Sequence, residues 1–184
     1  MTMNVLGKVA GSLNDKSARK WAKNDKVIEA GARGEARTAD ALLNGRDGTI
    51  MHDMRIPGER ANIDHIVVSG NKVWLIDSKW WKGGRYMTVF GKTYRGFTRV
   101  PHTEKDTMAR AYEKVERHLH EKGVDFDLQT PIIVVWSHEP LKLGLAKIPG
   151  ARLIAGGSFR GQARKLFKAD ANNEIIDALR ELVI

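Results

Sequence analysis

Apolar and polar positions follow two different periods along this chain, and the switches between them mark its elements. From Val27 to Leu43, the residues Ile28, Ala32, Glu35, Ala39 and Leu42 recur at offsets of 4, 3, 4 and 3, one stripe of a helix. Asn44-Gly45 stops it. Three strands follow: Thr49 to Arg55, closed by Pro57-Gly58, then Ile63 to Ser69, then Val73 to Lys79. The two-residue turn Gly70-Asn71 makes the second and third an antiparallel hairpin. A further hairpin joins Tyr86–Phe90 to Thr93–Arg99 around Gly91-Lys92. Glu104 to Lys122 reads as a helix with Ala109, Tyr112, Val115 and Leu119 on one face, ended by Gly123. Within Pro131 to Ser137, the run Ile132-Ile133-Val134-Val135-Trp136 lacks alternation, as in a strand buried on both faces. Arg152 to Ala155 is a short core strand. Gly156-Gly157-Ser158 reads as a turn with a serine cap, before helices at 159–168 and 172–183. A meander followed by a crossover helix predicts an α/β fold: a mixed central sheet flanked by helices, with an extra basic hairpin.

Residues 1–26 break the pattern. Lys8, Lys16, Arg19, Lys20, Lys23 and Lys26 against Asp15 and Asp25 read as a basic N-terminal arm or loosely packed helix, ahead of a single domain over 27–184. With 184 residues, 42% of them hydrophobic, the chain is long enough for one domain with a real core. It has no cysteine, which excludes disulfides, thiolate metal sites and cysteine nucleophiles and agrees with a cytoplasmic setting. No apolar run reaches membrane-spanning length, and no secretory signal is read at the start. The net charge of +9 and pI of about 9.9 favour a polyanionic partner, nucleic acid first.

Charge also falls where the periodicity predicts burial. Side chains alternate along a strand, so Val73, Leu75, Asp77 and Lys79 share one face, as do Asp64, Ile66 and Val68. Asp64 lies six residues before Gly70 and Asp77 six after Asn71, so the hairpin sets the two acids opposite each other. Facing carboxylates repel unless a cation or proton lies between them. Glu35 sits on the apolar stripe of its helix and needs a partner as well. Three acids and Lys79 converging on one site would cage a divalent cation, with Lys79 steadying the attacking water.

Gly34-Glu35, Asn62-Ile63-Asp64-His65-Ile66-Val67-Val68 and Trp74-Leu75-Ile76-Asp77-Ser78-Lys79-Trp80-Trp81-Lys82-Gly83 together resemble the nuclease-related domain (NERD), a family of the PD-(D/E)XK or restriction-endonuclease-like superfamily. The likeness covers about residues 28–137. It implies a restriction-endonuclease-like core and Mg²⁺- or Mn²⁺-dependent cleavage of DNA, leaving a 5′-phosphate and a 3′-hydroxyl. By position, Asp64 and Asp77 would ligate the metal, with the backbone carbonyl of Ser78 as a third ligand. Glu35 would ligate directly or through water, and Lys79 would be the catalytic lysine. Asp77 stands where many relatives carry Glu, and Met108 where related nucleases often carry a glutamine.

No acid occurs from Trp80 to Thr103. Lys82, Arg85, Lys92, Arg95 and Arg99 alternate there with Trp80, Trp81, Tyr86, Phe90, Tyr94 and Phe97. Cations track phosphates and aromatic faces stack on unpaired bases, so Trp80, Trp81, Lys82, Arg85, Lys92, Tyr94, Arg95 and Arg99 are the expected DNA-binding residues. His102 is a further contact candidate. The partner is then DNA, single-stranded, nicked or duplex. Three readings stand: a metal-dependent endonuclease, a non-cleaving DNA-binding module of the same fold in plasmid transfer or repair, and a strand-specific, relaxase-like nickase.

Overall fold

A computed structural model of the chain describes residues 2–10, 25–59, 61–101, 103 and 106–184. A seven-stranded mixed sheet forms its centre. Its strands are β1 (Met3–Leu6), β2 (Gly48–Arg55), β3 (Asn62–Ser69), β4 (Lys72–Trp80), β8 (Asp127–Leu128), β9 (Ile132–Trp136) and β11 (Arg152–Ala155). The order is β1-β2-β3-β4-β9-β11, with β8 pairing the start of β4. The meander β2-β3-β4 is antiparallel, while β4, β9 and β11 run parallel to one another. Ser69 pairs with Lys72, so Gly70-Asn71 is the whole β3–β4 turn, and Gly70 takes the left-handed φ of +61° that its first position requires.

Helices cover both faces. On one side α1 (Asp25–Leu42) and α3 (Gly156–Leu166) bury Leu42, Ile50, Val67, Trp74, Ile76 and Phe159. On the other, α2 (Thr107–Glu121) and α4 (Asn173–Arg180) bury Ile66, Val68, Leu75, Val115, Val135 and Leu179. The odd residues of β4 therefore face α2 and the even ones face α1, the alternation that the sequence pattern requires. Asn44 stops α1 by donating its side-chain amide to the carbonyls of Asp40 and Ala41. Gly123, at φ +69°, follows the end of α2.

A second, four-stranded sheet grows from the end of β4. Its order is β10 (Leu141–Leu145), β5 (Gly84–Val89), β6 (Lys92–Arg95), β7 (Thr98–Arg99). The expected hairpin is its middle, and the turn is Phe90-Gly91, one residue earlier than read, because Val89 pairs with Lys92. β10 was not expected. It pairs parallel to β5 from more than fifty residues away in sequence, and no local pattern encodes such a partner.

Two further expectations are corrected. Met3–Leu6 is not part of an arm or helix but an edge strand parallel to β2, because its alternating Met-Asn-Val-Leu finds an open sheet edge there. The rest of the expected basic arm, apart from residues 7–10, 25 and 26, lies outside the described residues, as does His102. Gly156-Gly157-Ser158 is not a serine-capped turn: α3 starts at Gly156 with Ala155 as its N-cap and no side-chain cap. A glycine is needed at 156 because a Cβ there would lie 2.2 Å from the Trp136 ring. No described helix is long and apolar enough to cross a membrane.

Candidate active site

Gly34 lets α1 lie directly on β4. A Cβ there would already touch the Ser78 Cβ and Lys79 carbonyl carbon at 3.8 Å, so a longer side chain would lift the helix. One turn on, the buried Thr38 hydroxyl accepts hydrogen bonds from Ser78 Oγ (2.8 Å) and Trp136 Nε1 (2.8 Å), and donates to the Gly34 carbonyl (3.0 Å). Ser78 Oγ is also 3.4 Å from His65 Nε2, and His65 Nδ1 meets His52 Nδ1 at 2.7 Å. Burial holds both histidines below their ordinary pKa, and His52 lowers His65 further. Neutral rings fit that contact, since one nitrogen must accept. This chain of polar groups fixes the peptide at Ser78 from behind. His65, the neighbour of Asp64 in β3, takes its contacts from His52 and Ser78 Oγ on this inner side.

In front of that peptide lie the acids. Ser78 N–H donates to Asp64 Oδ2 at 2.6 Å. The β3–β4 register sets His65 opposite Ile76, and one step further brings Asp64 opposite Asp77. Asp77 Oδ2 is buried without an aligned hydrogen bond, and Lys79 Nζ lies 2.5 Å from it. The same ammonium is 3.4 Å from the Ser78 carbonyl. Lys79 thus rests on two of the atoms that the resemblance implies as cation ligands. Its stem is half exposed while its charge is drawn in among the acids.

Electrostatics tie the four groups together. Burial, then Asp53 and Asp77, push Glu35 up to about 7, against the pull of Lys79 and the Ala10 backbone N–H. Desolvation, with Asp77 and Glu35 behind it, holds Asp64 well above the usual carboxylate range despite Lys79 and the Ser78 N–H. For Lys79, desolvation favours the neutral amine, but Asp77, Asp64 and Glu35 outweigh it and raise its pKa. Lys79 therefore stays charged, able to donate hydrogen bonds.

Asp77 and Lys79 open into a cleft of about 320 Å³, walled by Trp81, Val100, Pro101 and Met108. A family model, the nuclease-related domain, matches residues 30–134, more than half of the chain. The chain belongs to the nuclease-related domain family. No curated protein and no solved structure matches it. The NERD match spans all four central residues, Glu35, Asp64, Asp77 and Lys79, and ends within β9. The mixed sheet between helical layers is consistent with a nuclease-like core.

The donor set fits a hard divalent cation. It offers carboxylate and carbonyl oxygens only, one of them buried and unaligned with any donor. Among the described residues, however, no three His, Asp or Glu side chains are arranged as a ready-made metal cage, so Glu35, Asp64 and Asp77 are neighbours in charge but not a closed set of ligands.

Two further groups act on Glu35 that the sequence pattern does not single out, Asp53 and the Ala10 N–H. Asp53 is buried in β2 with a φ of +53°, in the backbone region that non-glycine residues rarely enter. β2 pairs His52 with His65 and Met54 with Ile63, so Asp53 and Asp64 fall side by side between those pairs. By register, Asp53, Asp64 and Asp77 take neighbouring backbone positions on β2, β3 and β4, and the charge of Asp53 acts on Glu35. Asn62 Nδ2 donates to Asp53 Oδ1 at 2.7 Å. Its signal was an acid inside a strand of otherwise buried residues, but the register that aligns it depends on a β2–β3 loop whose length sequence does not fix. The Ala10 N–H at Glu35 had no signal at all.

Of the expected DNA-binding residues, the two tryptophans are half-buried. Trp80 lies beneath Arg33 and Arg37 at 5.4 and 5.2 Å and edge-on to His138 at 4.6 Å, so its ring is already covered. Trp81 packs on Tyr86 at 4.8 Å and against the core. Tyr94 and Arg95 are half-buried; Lys82, Arg85, Lys92 and Arg99 are exposed. Lys92 sits at the far tip of the accessory sheet, away from the acids.

Proposed function

We propose that this protein is a metal-dependent DNA endonuclease or nickase. The observation that carries the proposal is the seat of Lys79: an ammonium held between the buried Asp77 Oδ2 and the Ser78 carbonyl, with Asp64 and Glu35 raised in pKa beside it. That seat is where negative charge converges and where oxygen ligands are already fixed by backbone. Asp64, Asp77 and the Ser78 carbonyl would hold Mg²⁺ or Mn²⁺, with Glu35 joining directly or through water. Bound there, such an ion supplies Lewis-acid polarisation of a phosphate oxygen and a lowered water pKa.

The chain's own groups do the rest. A ligand that takes up the charge of Asp77 releases Lys79 to donate hydrogen bonds to the attacking water and to the phosphate oxygens as their charge grows. The Ser78 N–H keeps Asp64 turned toward the site, and the Thr38–Ser78–His65 chain keeps that peptide from shifting. Met108 and Trp81 give the cleft an apolar wall that limits competing water. Water attacks phosphorus as the P–O3′ bond breaks, which leaves a 5′-phosphate and, once the leaving oxygen takes a proton, a 3′-hydroxyl.

A non-cleaving DNA-binding module is the rival reading. The observation on its side is that no three acidic or histidine side chains among the described residues form a closed cage. One experiment separates the two: supercoiled plasmid, linear duplex and single-stranded DNA incubated with Mg²⁺ or Mn²⁺, beside Asp77→Ala and Lys79→Ala. Cleavage by the wild type, lost in both variants, is expected. Equal cutting by all three proteins would overturn this site, and EDTA-insensitive binding without cutting would favour the module.

A further inference from the structure

We propose that Phe97 is a base-stacking contact and that the DNA it takes is single-stranded or locally unpaired near the cleft. This rests on the reading of the site as one that acts on DNA and extends it to a substrate class. Trp80 and Trp81 are half-buried by their neighbours, and the most exposed rings of the basic segment are Phe90 and Phe97. Phe97 is fully exposed, at 106% of its reference surface. It shares with Gly96 the two-residue turn between β6 and β7, since Arg95 pairs with Thr98. Gly96 supplies the left-handed φ of +57°, and its N–H donates to the Arg85 carbonyl at 3.1 Å, so the turn is fixed from below. A Cβ on Gly96 would meet nothing within 4 Å, so the turn stands clear of the body. Nothing in turn chemistry calls for phenylalanine there; glycine alone satisfies the backbone.

Position and charge identify the occupant. On one side of the turn, Arg95 joins Lys82, Trp80, Trp81, His138 and Glu139 around a depression of about 570 Å³. On the other, Val100 and Pro101, three and four residues beyond Phe97, line the cleft that holds Asp77 and Lys79. Along the chain, Phe97 thus lies between Arg95, which lines that depression, and Val100, which lines the cleft of Asp77 and Lys79. Arg85, Arg95 and Arg99 flank it, and no acid occurs between Trp80 and Thr103. A protein partner recognised by a lone phenyl ring would be expected to meet an apolar surround. A cationic surround suits a polyanion whose bases are free to stack, and stacking tolerates any sequence. Phe90 provides an internal control. It is equally exposed, at 98%, but lies at the opposite end of β5, about 17 Å from Arg85 by strand rise.

The test is binding of fluorescently labelled single-stranded and blunt duplex oligonucleotides of equal length, in EDTA, over a range of salt. The proteins compared are wild type, Phe97→Ala, Phe97→Trp and Phe90→Ala, each checked for an unchanged thermal transition. For Phe97→Ala, single-strand affinity falls about 5- to 100-fold, the salt slope stays the same and duplex affinity barely moves. Phe97→Trp restores binding and Phe90→Ala leaves it intact. No loss in Phe97→Ala, an equal loss on duplex, or the same loss in Phe90→Ala would overturn the proposal. Because EDTA removes cleavage from this readout, failure of the nuclease reading appears separately, as wild-type protein that leaves plasmid uncut with Mg²⁺ or Mn²⁺.

Discussion

The two sheets treat charge in opposite ways. At the central sheet, Glu35 of α1 and the strand acids Asp53, Asp64 and Asp77 are drawn toward the interior, where burial and their neighbours raise the proton affinity of Glu35 and Asp64, and Lys79 is held on Asp77. In the accessory sheet, Lys82, Arg85, Lys92 and Arg99 stand in solvent, with Phe90 and Phe97 bare at its two turns. Strand β4 runs from one regime to the other within a few residues, from Asp77 to Trp81. Burial makes charges reactive because the interior neither screens nor solvates them. Exposure makes charges useful for reach, because they meet a polyanion without a desolvation penalty. One strand thereby joins a cluster of buried charge to an exposed basic surface.

That contrast breaks most sharply at Asp77 and Lys79. Asp77→Ala or Lys79→Ala is expected to lower cleavage by about 10³-fold or more, measured as plasmid nicking rate, with little loss of single-strand binding. Loss of binding in parallel with cleavage would show that the two regions are not separate in function.

In stability, the central sheet dominates. Ile66→Ala, in a fully buried position of β3, should cost about 2–5 kcal/mol in urea unfolding. A smaller cost would mean that the meander is looser than its burial implies.

The acids should also set a pH dependence. Glu35 holds its proton up to about 7 in the fold, against an ordinary value of 4.5. The folded chain therefore binds more protons than the unfolded one between those values, and stability falls as pH rises through that window. Asp64 acts in the same direction. The loss attributable to Glu35 is on the order of 3 kcal/mol, readable by urea unfolding without metal at about pH 4.5 and about pH 8. Added Mn²⁺ should recover part of it at the higher pH and little at the lower, where the acids are protonated. The buried His52 and His65 act in the opposite sense, so the Glu35 contribution is read as the difference between wild type and Glu35→Gln, and no difference would show that Glu35 is better solvated than the geometry implies.

The smallest effect belongs to the accessory sheet. Arg85→Ala should change stability by less than about 0.5 kcal/mol and reduce the salt slope of single-strand binding by about 0.7. A stability loss comparable to that of Ile66→Ala would erase the distinction between the two sheets.

Local pattern made much of the fold legible. The helical stripe through Glu35, the Gly70-Asn71 turn and the unbroken Ile132–Trp136 run each reflect forces acting within a few residues, and each appears where it was read. The facing of Asp64 and Asp77 belongs with them, because a two-residue turn fixes register by counting. β1, β8 and β10 were not legible: each is short and exists only because a distant edge completes its hydrogen bonds. The tryptophans lie in the segment where they were read, and what partly covers Trp80 was not legible. Composition marks an aromatic as available to stack, but Arg33, Arg37 and His138, which cover Trp80, come from elements far away in sequence.

Sequence alone determined the helix face, the hairpin register, the cationic segment and the identity of the four charged residues, since periodicity and turn chemistry are local. Only the tertiary structure decided that Asp53 and the Ala10 N–H join them, that Lys79 settles on Asp77 and the Ser78 carbonyl, and that Phe97, not Trp80, is the bare ring. Those outcomes depend on which distant surfaces meet, and burial and Coulomb energy act on distance in space, which the order of residues does not specify.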